Sequence, residues 1–254
     1  MILDPHRIAP RDKLILAGLF LSKFNVTGVK RLGFGSFVEA FNVVGYALGG
    51  KPASIKNYRD EFDPLFPNPR QGWHKRQIRG YCLKIFEEYK NLDIDEFACL
   101  IKSLLGCDEN AWSAVLDKED IDQTQSLFAK RLITGLAAER YFESVHPSLT
   151  PFRGYTLENT TQLGCGYDFR LHTEANQDFL AVEVKGLSGP TGSLSFTPKE
   201  HQIAQTLTNR FFLFVVKNFR ETPFHEIYQN PLSGALSFTK RERVTVLISW
   251  LATV

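Results

Sequence analysis

The chain has 254 residues, 43% of them hydrophobic and 23% charged, with a formal net charge of +2. Those proportions fit an ordinary soluble globular protein holding one large domain or two modest ones. There is no uncharged apolar run of about eighteen residues to span a membrane, the N-terminus lacks the long apolar core of a signal peptide, and no repeat or low-complexity tract is present.

The first half reads as helical. Pro10 to Phe24 is an amphipathic stretch, and Ser36-Phe-Val-Glu39 has the form of a capping box opening a helix that runs to about Leu48. Gly49-Gly50 ends it, and after Lys51-Pro52 a short helix is expected from Ala53 to Phe62, stopped by Asp63-Pro64. Two short helices joined by a glycine turn are compatible with a helix-turn-helix that offers Lys56, Asn57 and Arg59 to a DNA groove. An ordinary helical hairpin is the plainer reading of the same pair. The following loop, Pro67 to Arg79, carries Arg70, Trp73, Lys75 and Arg76. Its cations suit contact with phosphates and its indole suits stacking; alternatively Trp73 pins the loop to the core and the cations are solvated. Helices at about 80–92 and 94–105 follow, the second begun by Asp93-Ile-Asp-Glu96 and ended at Gly106.

The charge is segregated. Residues 1–90 hold 15 Lys and Arg against 8 Asp and Glu, whereas residues 91–126 hold 2 against 9. An acidic stretch between a basic front and the remainder suggests a domain connection. The boundary is placed near residue 118, giving a helical, basic DNA-recognition domain over 1–118 and a second domain over 119–254. The four cysteines (Cys82, Cys99, Cys107, Cys165) show no CxxC pair and no zinc spacing. They read as reduced and buried, in a cytoplasmic protein.

In the second half, Leu127 to His146 carries Leu132, Ile133, Leu136, Ala137 and Phe142 at helical spacing, with Glu139 and Glu143 beside that stripe. Tyr167 to Thr173 and Phe179 to Lys185 alternate as strands. The polar group between them suggests an antiparallel hairpin. Thr197-Pro-Lys-Glu200 opens a helix with Thr at the N-cap, Pro at N1 and Glu at N3, and Arg210 to Val216 is a continuous apolar run expected to be a buried strand. The order is helix, three strands, helix, strand.

Within the hairpin, Glu183 and Lys185 must share a face, with Val182 and Val184 turned to the other. If the turn centres between Ala175 and Asn176, Asp168 stands opposite Glu183. Like charges facing each other across a ladder are destabilising; a Mg²⁺ or Mn²⁺ ion between them would turn repulsion into coordination. Set against this, Glu183 pairing with Lys185 or Arg170 on a solvated face is the plainer alternative. A second Glu-x-Lys, Glu88-Tyr-Lys90, falls on a helix, where i and i+2 do not face each other.

The order of elements, with Asp168, Glu183 and Lys185, resembles the PD-(D/E)xK nuclease superfamily. More narrowly, Glu183-Val-Lys-Gly186 followed by Phe196-Thr-Pro-Lys-Glu200 resembles the nuclease-like domain at the C-terminus of the plant protein NO VEIN, over about residues 125–250. The resemblance implies an α+β or α/β chain, its helical front followed by a restriction-endonuclease-like αβββαβ core. It assigns Asp168, Glu183 and Lys185 as catalytic, and Asp168, Glu183 and Glu139 as metal ligands, with Glu143 a possible replacement for Glu139. The proline that precedes the aspartate in that pattern is Tyr167 here. Glu200 reads as a capping residue rather than a ligand; His201 and Gln202 lie in the same first turn.

The expected function is a Mg²⁺-dependent (or Mn²⁺-dependent) endonuclease of restriction or defence type. Its substrate is double-stranded DNA, it is not associated with a membrane, and it is a homodimer if its target is palindromic. The alternatives are a nuclease restricted to modified DNA or to repair intermediates, and an inactive DNA-binding or assembly module with the same fold.

Overall fold

The computed structural model describes residues 8–70, 72, 73, 75–106, 121–174, 176–234, 236–242 and 250. Among them are seven α-helices and one five-stranded mixed sheet. The proposed boundary near residue 118 and Cys107 lie outside the described residues.

Helices α1 (Pro10–Arg31), α2 (Phe37–Ala47), α3 (Pro52–Phe62), α4 (Gly80–Tyr89) and α5 (Ile94–Leu104) form the first half. α1 continues past Phe24 through a kink at Asn25, whose φ of 51° and ψ of −137° are not helical. The predicted end at Phe24 therefore marks the break, not the terminus. Ser36 caps α2 as predicted, its Oγ accepting from Glu39 N at 3.1 Å. The Glu39 carboxylate, however, accepts from Gly35 N at 2.8 Å instead of closing the box. Asp93 and Glu96 make a full capping box on α5. α3 lies directly on α1 because Gly18 has no side chain: a Cβ there would sit 2.4 Å from Tyr58 Cβ.

The second half opens with α6 (Ile121–Val145) and continues through β1 (Thr156–Asn159), β2 (Phe169–Thr173), β3 (Asn176–Gly186), α7 (Pro198–Leu207), β4 (Phe211–Lys217) and β5 (Phe224–Gln229). The strands lie in sequence order, antiparallel except for the parallel pair β3–β4 joined across α7. β1 supplies the strand the expected order required, and β5 adds an edge the sequence reading had not placed. One sheet face carries Phe169, Val182, Val184, Phe212 and Phe214 against α6, where Phe142 packs 5.2 Å from the Phe169 ring and 4.8 Å from Phe214. The helical stripe actually buried is Ile133, Ala137, Ala138, Tyr141 and Phe142; Leu132, expected in it, is 46% exposed. The other sheet face carries Tyr167, Ala181 and Phe211 beneath Ala204 of α7.

The halves meet through α2 and α6. Lys130 Nζ lies 2.8 Å from Glu39 Oε1, the Tyr46 and Tyr141 rings are 5.2 Å apart, and Asn42 Nδ2 donates to the carbonyls of Phe219 and Glu221 at 2.9 and 2.7 Å. Buried apolar side chains run without a gap from Ile15 in α1 to Phe219 after β4. No described helix is long and apolar enough to cross a membrane. Cys82 is buried, but Cys99 is exposed, against the expectation that all the cysteines are interior.

Candidate functional site

The β2–β3 ladder pairs Phe169 with Val182, Arg170 with Ala181 and Leu171 with Leu180. Continued by one residue, this register sets Asp168 opposite Glu183, and Asp168 N donates to Val182 O at 3.0 Å. The turn is nevertheless tighter than expected, since Thr173 pairs with Asn176 and the ladder shifts between Leu171 and Thr173. A bulge absorbs the difference, so the register at the site is that of the sequence reading although the turn is not.

Asp168 Oδ2 accepts from Val184 N at 2.8 Å, which fixes the carboxylate against β3. The Glu183 side chain is only 4% exposed, and its Oε1 lies 2.5 Å from Lys185 Nζ. The same ammonium lies 3.1 Å from Glu200 Oε2, at the start of α7. Glu200 also performs the capping predicted for it: its Oε2 accepts from Thr197 N at 2.9 Å, while its own N–H donates to Thr197 Oγ1 at 3.2 Å. Capping and contact with Lys185 thus coexist in one residue, where the sequence reading kept only the first. Thr197-x-x-Glu200 signals the cap, but the meeting with Lys185 depends on how the β3–α7–β4 crossover folds back. The Phe196 ring lies 5.9 Å from the ammonium. His201 packs toward Phe238, ring centroids 6.2 Å apart, and Gln202 is exposed.

Burial dominates the electrostatics. It pushes the Glu183 carboxyl up to about 9, with the charge of Asp168 adding to the shift and Lys185 opposing it. Glu139, on α6, is pushed up to about 7 by burial and then by the charges of Asp168 and Glu143. Burial likewise raises Asp168, against the hydrogen bond from Val184. For Lys185 burial acts downward, but Glu183 and Glu200 outweigh it and hold the ammonium above the ordinary lysine range. Glu139 therefore shares the field of the cluster. Glu143, its possible replacement, is engaged elsewhere, by Arg140 Nη1 at 2.7 Å and Asn159 Nδ2 at 3.3 Å.

Among the described residues, no group of three or more His, Cys, Asp or Glu side chains is arranged to hold a metal ion. The chemistry of the donors still fits a hard cation, because Asp168 and Glu183 supply only oxygens. Mg²⁺ is ordinarily bound by one or two carboxylates plus waters and substrate phosphate, so a third protein ligand is not required.

The residues expected to meet DNA divide in two. Lys56, Asn57, Lys75 and Arg76 are exposed, although Lys56 Nζ pairs with Asp60 Oδ2 at 2.7 Å. Arg59 and Arg70 are corrected to interior roles. The Arg59 side chain is 10% exposed, donates from Nε and Nη2 to Asp60 Oδ1 at 3.0 and 2.5 Å, and lies over the Phe37 and Phe41 rings. Arg70 grips the fully buried Asp63 side chain with two bonds of 2.8 and 2.7 Å and reaches Asn25 Oδ1 at 2.5 Å. Trp73 is half-buried; its backbone N–H donates to Asp60 O at 2.8 Å and the Arg76 guanidinium covers its ring at 3.9 Å. The loop is thus pinned, as in the alternative reading, but its Arg70 is paired with Asp63 and not solvated. Arg79 binds Glu61 through its side chain and through its backbone N–H at 2.8 Å. Burial pushes Glu61 upward, but the hydrogen bonds from Arg79 prevail and hold it below the usual carboxylate range. The sequence reading missed this acidic row of Asp60, Glu61 and Asp63, whose visible signal was Arg59-Asp-Glu-Phe-Asp63 followed by a basic loop. Several of the first half's cations are therefore neutralised internally.

Fold and site together define a mixed α+β protein with a buried carboxylate–lysine cluster on the face of β3 that α7 covers. Residues 138–229, from the middle of α6 through β5, match the family model described as Protein NO VEIN, C-terminal. No curated protein and no solved structure matched the chain.

Proposed function

We propose that the chain is a metal-dependent endonuclease of restriction or defence type that hydrolyses phosphodiester bonds in double-stranded DNA. The supporting observation is the convergence of Asp168, Glu183 and Lys185 across adjoining strands, the ammonium 2.5 Å from the Glu183 carboxylate. Asp168 and Glu183 would hold Mg²⁺ or Mn²⁺, with Glu139 adding negative charge or a further ligand from α6. When bound, such an ion lowers the pKa of a coordinated water and neutralises charge on the phosphoryl oxygens. Lys185 would orient the attacking water and stabilise the charge that develops on the phosphorane. Asp168, tied to Val184 N, is pre-positioned for its role without needing to reorganise. Exposed Lys75 and Arg76, with Lys56 and Asn57, are the candidates for contact with DNA. A helical recognition domain over 1–118, a homodimer on palindromic targets and a cytoplasmic location complete the reading.

The test is nicking of supercoiled plasmid in Mg²⁺ by the wild-type chain, lost in Asp168→Asn and Lys185→Met. DNA binding with no cleavage in either Mg²⁺ or Mn²⁺ would overturn the enzyme reading in favour of an inactive binding module. Methylated and unmethylated plasmids of one sequence, compared side by side, separate a modification-dependent enzyme from the general one.

A further inference from the structure

We propose that Glu200 is a positioning residue for Lys185: it draws the ammonium toward α7 and so leaves the Glu183 carboxylate available to a divalent cation. This rests on the reading that Asp168 and Glu183 hold the metal. Lys185 Nζ stands between two carboxylates, 2.5 Å from Glu183 Oε1 and 3.1 Å from Glu200 Oε2. With Glu183 as its only anionic partner, the lysine would neutralise the carboxylate the cation needs. Shared with Glu200, it need not.

Glu200 is suited to this because it is itself immobilised. Its Oε2 accepts from Thr197 N at 2.9 Å and its N–H is bound by Thr197 Oγ1 at 3.2 Å, so the carboxylate stays in place when the lysine moves. The capping hydrogen bonds do not require its charge, since Gln can also close a capping box at N3. The negative charge also suits the helix N-terminus, but the ion it meets is Lys185. A Glu200→Gln substitution therefore separates the functions, keeping the cap and removing the anion.

The experiment measures Mn²⁺ affinity by titration calorimetry on the full chain, in the wild type, Glu200→Gln, Lys185→Met, the double variant and Glu183→Gln. Thermal unfolding in EDTA confirms that each variant is folded. Glu200→Gln is expected to melt with the wild type yet bind Mn²⁺ about tenfold more weakly, within the range coupled neighbours show. In the Lys185→Met background the same substitution is expected to change affinity little. An equal loss in both backgrounds, or no loss in either, overturns the positioning role while leaving the metal reading intact. Should Glu183→Gln bind Mn²⁺ as tightly as the wild type, the metal reading itself falls and the positioning role with it.

Discussion

Replacing Asp168 in two ways separates its charge from its hydrogen bond. Its Oδ2 accepts from the Val184 N–H at 2.8 Å, and its charge raises the carboxyls of both Glu183 and Glu139. Asp168→Ala removes both. The amide of Val184 then loses its partner at a strand whose side chain is buried, at a cost of about 1–3 kcal/mol, partly offset by relief of repulsion. Asp168→Asn removes only the charge, because the amide oxygen can still accept from Val184. In urea unfolding at pH 8 with EDTA, Asp168→Asn should be at least as stable as the wild type, and Asp168→Ala less stable than Asp168→Asn by about 1–3 kcal/mol. Both should lose plasmid nicking. Equal stabilities for the two variants would refute the hydrogen-bond argument. A drop in Asp168→Asn as large as that in Asp168→Ala would refute the claim that the cluster is over-charged.

Stability in EDTA should also fall as pH rises. The folded Glu139 and Glu183 carboxyls sit at about 7 and about 9 against an ordinary value of 4.5, so their contribution is complete below 4.5 and is lost as pH climbs through the folded values. Urea unfolding from pH 5 to 9 should show this slope, and Glu183→Gln should flatten its upper part. In Gly186→Ala the new Cβ would lie 2.6 Å from Thr134 O, forcing α6 off β3; calorimetry should show a loss of about 1–3 kcal/mol. Arg70→Met leaves the buried Asp63 carboxylate without its bidentate partner, for an expected loss of about 3–5 kcal/mol in urea unfolding. An Arg70→Met chain that is fully stable but deficient in DNA binding would instead restore the surface role. Paired substitution of Lys75 and Arg76 by Ala should cost about 1 kcal/mol, from loss of the Arg76 cover over the Trp73 ring and its ion pair with Glu61. It should also lower the salt slope of DNA binding by about 1 for each of the two side chains that meets a phosphate.

Much of the site was legible because its determinants are local. Strand alternation puts Glu183 and Lys185 on one face whatever the rest of the chain does, and Val182 and Val184 are buried on the other. Thr197-Pro-Lys-Glu200 specifies its own cap, as Asp93-Ile-Asp-Glu96 does. The Asp168–Glu183 register followed from strand alternation with the intervening polar turn, and it survived an error in the turn because a bulge made up the offset. The front half was less legible for the opposite reason. Arginine has the same letter whether it faces a phosphate or a buried aspartate, and only tertiary packing decides that Arg59 turns onto the rings of α2 and Arg70 onto Asp63.

The amino-acid order alone thus determined most of the helices and the three strands nearest the site, which residues of each strand share a side, and that two acids and a lysine would lie near one another. Those are consequences of backbone periodicity and of side chains that bond within a few positions. The tertiary structure decided which charges neutralise which: that Glu200 joins Lys185, that Glu139 feels Asp168, and that Asp60, Glu61 and Asp63 take up the arginines around them. Such pairings join residues distant in the chain or turned by packing, and the burial that strengthens them exists only once the core has closed.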